Sequence, residues 1–355
     1  MSFSGKKVLV VGGAGFVGSN LCHQLLIQDA KAVVVVDNLL SAEADNLPTD
    51  DKLTFVMGSI SDDRVLSKLG QDFHYVFHLA TYHGNQSSIH DPIADHDNNN
   101  VTTLKLCDHF KNAPNLEKFV YSSAGCTVAK KTYDDVGATG EDAEVSLYHD
   151  SPYQISKIVG EFYGNYYFMK FQLPFVKARF QNVYGPREVL GAGRWRGTPA
   201  TIWRNVTPTF IWKSLHQEAL PLENEGKASR DFIYVDDIVA GLIACALKGR
   251  AGEVYNLASG VETTIRELAE TINQITGNKT PIAYTNPRPW DRSGKRFGST
   301  EKAANELGFR AKTSLPDGLA KTIAWTQENQ EFILRNMRKY EHFVPEIEQY
   351  ICQNA

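Results

Sequence analysis

Two rhythms of hydrophobic residues alternate along the chain. Short, nearly unbroken apolar runs rich in β-branched residues occur at Lys7 to Val11, Ala32 to Val36, Leu53 to Met57, Tyr75 to Leu79, Lys118 to Tyr121 and Pro174 to Arg179. Runs of this kind suit strands covered on both faces, so they predict a buried parallel sheet. Between them, Gly15 to Gln28, Ile89 to Asn112 and Pro152 to Met169 place their apolar residues at helical spacing. Strand, helix, strand in repeated order predicts right-handed crossovers and an α/β, doubly wound fold. After Arg179 the regularity weakens. Gly185 to Asn205 is rich in Gly, Arg, Trp and Pro, and an amphipathic end follows around Leu319 to Leu334. The expected organisation is a nucleotide-binding unit over 1–180, receiving a strand and a helix from about 231–258. A smaller α/β substrate lobe is expected over 181–230 and 259–355.

Ligands in such folds sit beyond the carboxyl ends of the strands, which directs attention to the residues following each one. Val8-Leu9-Val10-Val11-Gly12-Gly13-Ala14-Gly15-Phe16-Val17-Gly18 spaces glycines between the first strand and the first helix. Gly12 permits the tight turn, Gly15 lets the backbone approach a pyrophosphate, and Gly18 allows close packing of helix on strand. The helix N–H groups and dipole then attract the phosphates. The next strand ends at Asp37, whose carboxylate is placed to accept from both ribose hydroxyls and to repel a 2′-phosphate, favouring NAD over NADP. This is a Rossmann-type unit, with Phe16, Val17, Asn38, Ser59, Ile60, Leu79 and Ala80 expected beside the cofactor. Asp62 has two readings, a contact to the adenine or a helix N-cap.

Ser151-Pro152-Tyr153-Gln154-Ile155-Ser156-Lys157 begins a helix with Ser151 as N-cap and Pro152 at its first position. Tyr153 and Lys157 then share a face. A tyrosine with a pKa near 10 is a poor base at neutral pH, and lowering it by about 3 units takes roughly 4 kcal/mol of preference for the phenolate. A lysine and an oxidised nicotinamide bring positive charge for that purpose. Ser122-Ser123-Ala124-Gly125 follows the fifth strand at the cleft edge, where Ser123 is placed to hydrogen-bond the substrate oxygen that Tyr153 deprotonates.

The glycine turn, Ser123 and Tyr153-x-x-x-Lys157 together resemble the extended short-chain dehydrogenase/reductase family, in its nucleotide-sugar epimerase/dehydratase branch. His78-Leu79-Ala80, Asn98-Asn99-Asn100-Val101, Asn182-Val183-Tyr184-Gly185-Pro186, Arg230-Asp231-Phe232-Ile233-Tyr234-Val235-Asp236-Asp237 and Arg288-Pro289-Trp290-Asp291-Arg292 look like further blocks of that family. The likeness runs from Lys7 to about Phe309. It implies that Ser123 and Tyr153 contact the sugar hydroxyl being oxidised and that Lys157 holds the nicotinamide ribose while tuning Tyr153. It also implies that Asn100 lines the cofactor pocket, with a capping or core amide as the alternative. Asn182 would contact the substrate diphosphate, and Arg230 and Arg292 would neutralise it.

The family's dehydratases carry an Asp-Glu pair after the catalytic hydroxyl, and its decarboxylases a glutamate, whereas Ala124-Gly125 supplies no acid or base here. The resemblance therefore implies NAD-dependent epimerisation of a nucleotide sugar, a UDP-sugar at C4, with Tyr153 as base and then acid. A dehydratase or another sugar-nucleotide oxidoreductase is the alternative. The chain departs from the pattern in three places. Cys126-Thr127-Val128 stands where relatives show Val-Tyr-Gly, the loop before Tyr153 is long, and Gly191-Ala192-Gly193-Arg194-Trp195-Arg196-Gly197 with Trp203-Arg204 looks inserted. Those arginines would read an acidic sugar such as a uronate, or else cover the lobe.

Composition closes off other classes. The 355 residues carry 37 basic and 41 acidic side chains, a net charge of -4, so no basic excess exists to neutralise a nucleic-acid backbone. No apolar run approaches the roughly 18 residues needed to span a bilayer, and the start of the chain lacks a cleavable apolar region. Five scattered cysteines suggest neither disulfides nor zinc, and His78, His83, His90 and His96 lack ligand spacing, so no metal is expected. The expected setting is the cytoplasm, with a homodimer paired through the helices holding Asn100 and Tyr153 and a role in polysaccharide biosynthesis.

Overall fold

The computed structural model describes residues 2–130, 132–134, 137–288, 291 and 294–353. The chain runs through β1 (Lys7–Val11), α1 (Phe16–Ile27), β2 (Ala32–Asp37), β3 (Leu53–Met57), α2 (Asp63–Leu66) and β4 (Tyr75–His78). It continues through α3 (Asn85–His90), α4 (Pro92–His96), a π turn at Asp97–Val101, α5 (Thr102–Phe110), β5 (Lys118–Ala124), α6 (Pro152–Phe171) and β6 (Phe175–Phe180). All six expected strands form, with ends shifted by a few residues at most. The helix expected over Ile89 to Asn112 is broken instead. Asp91 accepts from Ala94 N and caps a new start at Pro92, which cannot donate to the preceding turn.

The main sheet is seven-stranded and parallel throughout. Its order from one edge is β3, β2, β1, β4, β5, β6 and then β10 (Val254–Leu257). Alternate residues of each strand feed opposite layers. Val8, Val10, Val33, Val35, Phe77, Val120 and Val176 pack under α1 and α8 (Val235–Lys248), while Leu9, Val11, Val76, Phe119, Tyr121 and Phe175 pack under α5 and α6. Burying a large apolar side chain contributes about 1.5–3 kcal/mol, so these two layers are the chief source of stability. The strand order reverses between β1 and β4, and the crevice opens there.

The second lobe is built from β7 (Asn182–Tyr184), α7 (Val206–Leu215), β8 (Pro221–Glu223), β9 (Ser229–Tyr234), β11 (Glu262–Thr264), α9 (Ile265–Thr276), β12 (Ala283–Thr285) and α10 (Leu315–Glu328). Within 231–258 only α8 and β10 join the main sheet. β9 pairs with β7 and β11 instead, where Phe232 and Tyr234 pack with Phe210, Leu268 and Leu319. Val189, Leu190, Ala192 and Trp212 form another cluster with α11 (Gln330–Arg338) and the segment leading into α12 (Glu348–Gln353). No helix among the described residues is long and apolar enough to cross a membrane.

Candidate active site

A cavity of about 640 Å³ lies over the crevice between the two lobes. At one end is the glycine turn. Gly12 has φ +84°, and a Cβ there would meet Ala80 N at 2.4 Å. A Cβ on Gly18 would lie 2.2 Å from Gly12 O, so α1 seats on the turn only with glycine. At Gly15 a Cβ would meet only Gly12 O at 3.2 Å, which leaves the side facing the cavity open. Gly15 is the N-cap of α1 and offers no side-chain acceptor, so the first N–H groups of the helix are available to an anion.

Asp37 ends β2. Its Oδ2 accepts from Ala14 N at 3.1 Å and its Oδ1 from Leu39 N at 2.9 Å. Each oxygen keeps lone-pair capacity for a diol, and burial pushes the carboxyl up against these bonds. Phe16, Val17, Asn38, Ser59, Ile60, Leu79 and Ala80 all line the cavity. Asn100 does not. The π turn rotates the three asparagines so that Asn98 lines the cavity and bonds Asn38 Nδ2 at 3.3 Å through its Oδ1. Asn99 turns inward to accept from Tyr82 N at 2.7 Å, and Asn100 pairs with His96 at 3.2 Å. Asp62 caps α2, accepting from Arg64 N at 2.9 Å, and is not part of the lining.

At the other end stands α6, started by Ser151 and Pro152. Beyond the first turn the helix presses close to the sheet because Gly160 and Gly164 lack side chains. A Cβ on either would fall within 2.2 Å of Tyr121 Oη or Phe175. Tyr153 and Lys157 therefore face the strand ends and line the cavity. Lys157 Nζ donates to Ser122 O at 2.8 Å and lies 5.8 Å from the centre of the Tyr153 ring. Burial lowers Lys157 to about 8, against the upward pull of Asp95. Burial also drives the Tyr153 hydroxyl upward, with Arg296 acting weakly the other way. Lowering it therefore requires the positive charge of an oxidised nicotinamide above the same face.

Ser123 stands near the end of β5. It lines the cavity, but its Oγ donates to Glu161 Oε1 at 2.5 Å. Glu161 in turn accepts both Nε and Nη2 of Arg179 at 2.8 Å. Glu161 sits one turn beyond Lys157 on the same face of α6, and its carboxylate, buried in the ion pair with Arg179, accepts the serine hydrogen bond.

Asn182 lies on β7 and Arg230 on β9, and both line the cavity. Arg230 donates to Ser229 O and Gly294 O at 2.6 Å and approaches Asp291 at 3.9 Å. Burial lowers it to about 9. Arg292 lies outside the described residues. Arg288 and Arg296, which the sequence reading passed over, line the same end. Arg288 stands in the same sequence block as Arg292, whereas Arg296 lies four residues beyond it. His83, Glu188 and Asn205 were also missed. His83 stands 6.1 Å from the Tyr153 ring and bonds Asn205 at 3.2 Å, Asn205 donates to Glu188, and burial raises Glu188 to about 7. Among the described residues no group of acidic, His or Cys side chains could hold a metal ion.

A glycine-rich turn on a helix N-terminus, a diol-reading acid and a Tyr/Lys pair across one crevice define a dinucleotide-dependent oxidoreductase site of the short-chain type. Residues 8–258 match the NAD dependent epimerase/dehydratase family, and the chain belongs to that family; its cofactor is NAD. It is similar to the Bordetella bronchiseptica enzyme WbmF, crystallised with NAD+ and UDP, at 56% identity over 97% of this chain and 99% of that one, with a TM-score of 0.87. The UDP-glucose 4-epimerase of Thermotoga maritima, crystallised with UDP-glucose, is 30% identical over 91% and 99%, with a TM-score of 0.82. A dTDP-glucose 4,6-dehydratase of Streptomyces antibioticus is 28% identical over 91% of this chain and 93% of its own.

Proposed function

We propose that the chain epimerises a UDP-sugar at C4 through a 4-keto intermediate, with Tyr153 as the acid/base group. The observation that carries this reading is the placement of Tyr153 and Lys157 on one face of α6, lining the cavity shared by the glycine turn, Asp37 and the arginines. When bound, NAD supplies the hydride acceptor and then the hydride donor. Tyr153 takes the proton of the sugar hydroxyl and later returns it to the alkoxide, while Lys157, held by Ser122 O, keeps positive charge beside the phenolate. Arg230, Arg288 and Arg296 with Asn182 line the diphosphate end. Ala124 and Gly125 offer no acid or base to eliminate water, which favours epimerisation over the dehydratase alternative.

The division into a cofactor unit of 1–180 with α8 and β10, and a sugar-nucleotide lobe from the remainder, belongs to this proposal, as does a homodimer. The setting is the cytoplasm. Epimerised, still activated sugars are the donors that polysaccharide assembly consumes.

The test is proton NMR of UDP-, GDP-, CDP- and dTDP-sugars with the purified protein and no added cofactor. A C4 epimer of unchanged mass is expected from a UDP-sugar, and Tyr153→Phe abolishes its formation while NAD stays bound. A product lighter by one water, or turnover by the Phe variant near the wild-type rate, overturns the proposal.

A further inference from the structure

The end of β5 and the turn after it carry four side chains able to hydrogen-bond, and three are already committed. The Ser122 hydroxyl donates to His78 O at 3.1 Å, Thr127 to Ala124 O at 2.7 Å, and Ser123 to Glu161 at 2.5 Å. A carbonyl forming at the sugar needs a donor beside Tyr153, because Tyr153 hands over its own proton only on the return step. Ser123 could serve only by leaving the Glu161–Arg179 pair, both of whose side chains are 5% exposed. Charge-assisted bonds of this kind are about twice as strong as neutral ones, and stranding a buried carboxylate lone pair adds to the cost.

Cys126 is the fourth. A short turn at Gly125–Thr127 follows the strand, and Gly125 fits it because a Cβ there would lie 2.2 Å from Gln181 Nε2. That turn brings Cys126 into the cavity lining with Tyr153 and Lys157. Arg230, at the diphosphate end, lines the same cavity. Cys22, Cys107 and Cys245 are buried in the sheet layers and do not line the cavity.

We propose that Cys126, in place of Ser123, is the catalytic loop residue facing the reacting oxygen of the sugar, its thiol donating to that oxygen as the carbonyl forms. Ser123 then acts as a positioning residue that ties β5 to α6. The assignment rests on the epimerase reading for its kinetic arm and on the cavity alone for its labelling arm.

Two measurements on the NAD-containing protein decide it. In the first, Cys126→Ala lowers kcat about tenfold, the worth of one hydrogen bond of about 1.4 kcal/mol, with KM nearly unchanged, and Cys126→Ser recovers most of the loss. Ser123→Ala is read beside it and lowers the melting temperature more than it lowers kcat. In the second, the rate of iodoacetamide labelling at Cys126 is followed by peptide mass spectrometry. Saturating UDP-glucose or UDP-galactose slows it at least fivefold, and UDP slows it less. Wild-type kcat in Cys126→Ala, or labelling unaffected by the sugar nucleotides, overturns the proposal. A panel of sugars in which nothing is epimerised sinks the function reading, and the labelling comparison still places or displaces Cys126.

Discussion

Asp95 lies behind Lys157 with 1% of its surface exposed, accepting from Asn99 Nδ2 at 2.9 Å. Burial raises its carboxyl to about 6, with Ser156, Lys157, Asn99 and His96 pulling it down, so it is charged at neutral pH. That charge raises Lys157 against its burial and raises Tyr153 too. Asp95→Asn removes both effects. Lys157 then loses its proton below pH 8, and the Tyr153 phenolate forms more easily. Both limbs of the kcat/KM profile are expected to move to lower pH, measured on the NAD-containing enzyme. A slower enzyme with unmoved limbs would show that Asp95 only braces Asn99, which fixes the loop after β4. Neither Asp95 nor the commitment of Ser123 was legible in the sequence. Each depends on a partner many positions away, at 157 or at 161 and 179, and no local spacing encodes those pairings. Tyr153, Lys157 and the glycines were legible because their work is done within one or two turns of backbone.

At the scale of elements, the segment that looked inserted at 191–204 turns out to grip the loop that follows β2. Arg194 Nη2 donates to Asn38 O at 2.8 Å, Arg196 Nη1 to Ser41 Oγ at 2.7 Å, and Arg204 Nη1 to Ser41 O at 2.9 Å. Gly193 N donates to Glu43 Oε1 at 2.8 Å, which Lys339 beyond α11 also reaches at 2.6 Å. Trp195 stacks on Phe343 at 4.6 Å, so the strap is fastened to the C-terminal helices. Three of these guanidinium donors go to Asn38 O, Ser41 O and Ser41 Oγ beside the cofactor's ribose acid, a covering role, while Arg196 Nη2 and Arg204 Nε are buried without a hydrogen-bond partner. Arg196→Leu is expected to free the loop and speed NAD loss about tenfold, seen as a lower NAD content after gel filtration. Retained NAD with selective loss of binding to a UDP-uronate would restore the sugar-reading role. The main-sheet strands were readable because a buried parallel strand is an unbroken apolar run. The lobe was not, because β7, β8, β11 and β12 span three residues each and carry no period.

For the whole molecule, the surface of α6 opposite Tyr153 and Lys157 bears on assembly. Ile155, Phe162, Tyr166 and Met169 are 47%, 55%, 49% and 69% exposed at helical spacing, and Ile89, Ile93 and Leu104 extend the patch over α3, α4 and α5. A contiguous apolar patch on a water-facing surface marks a contact with another protein, and a homodimer pairing these helices would cover it on both copies at once. The same helix carries the catalytic pair, and α5 is continuous with the π turn that places Asn98, so dimerisation would stiffen both walls of the cavity. The double variant Phe162→Glu, Tyr166→Glu is expected to run as a monomer by light scattering. Its melting temperature should be independent of protein concentration, whereas that of the wild type should rise with concentration, as mass action requires when folding and association are linked. Turnover should fall with the loss of the dimer, because the first turns of α6 would lose their backing. A wild-type protein that scatters as a monomer across that concentration range would leave the patch to another partner and remove the homodimer from the proposal.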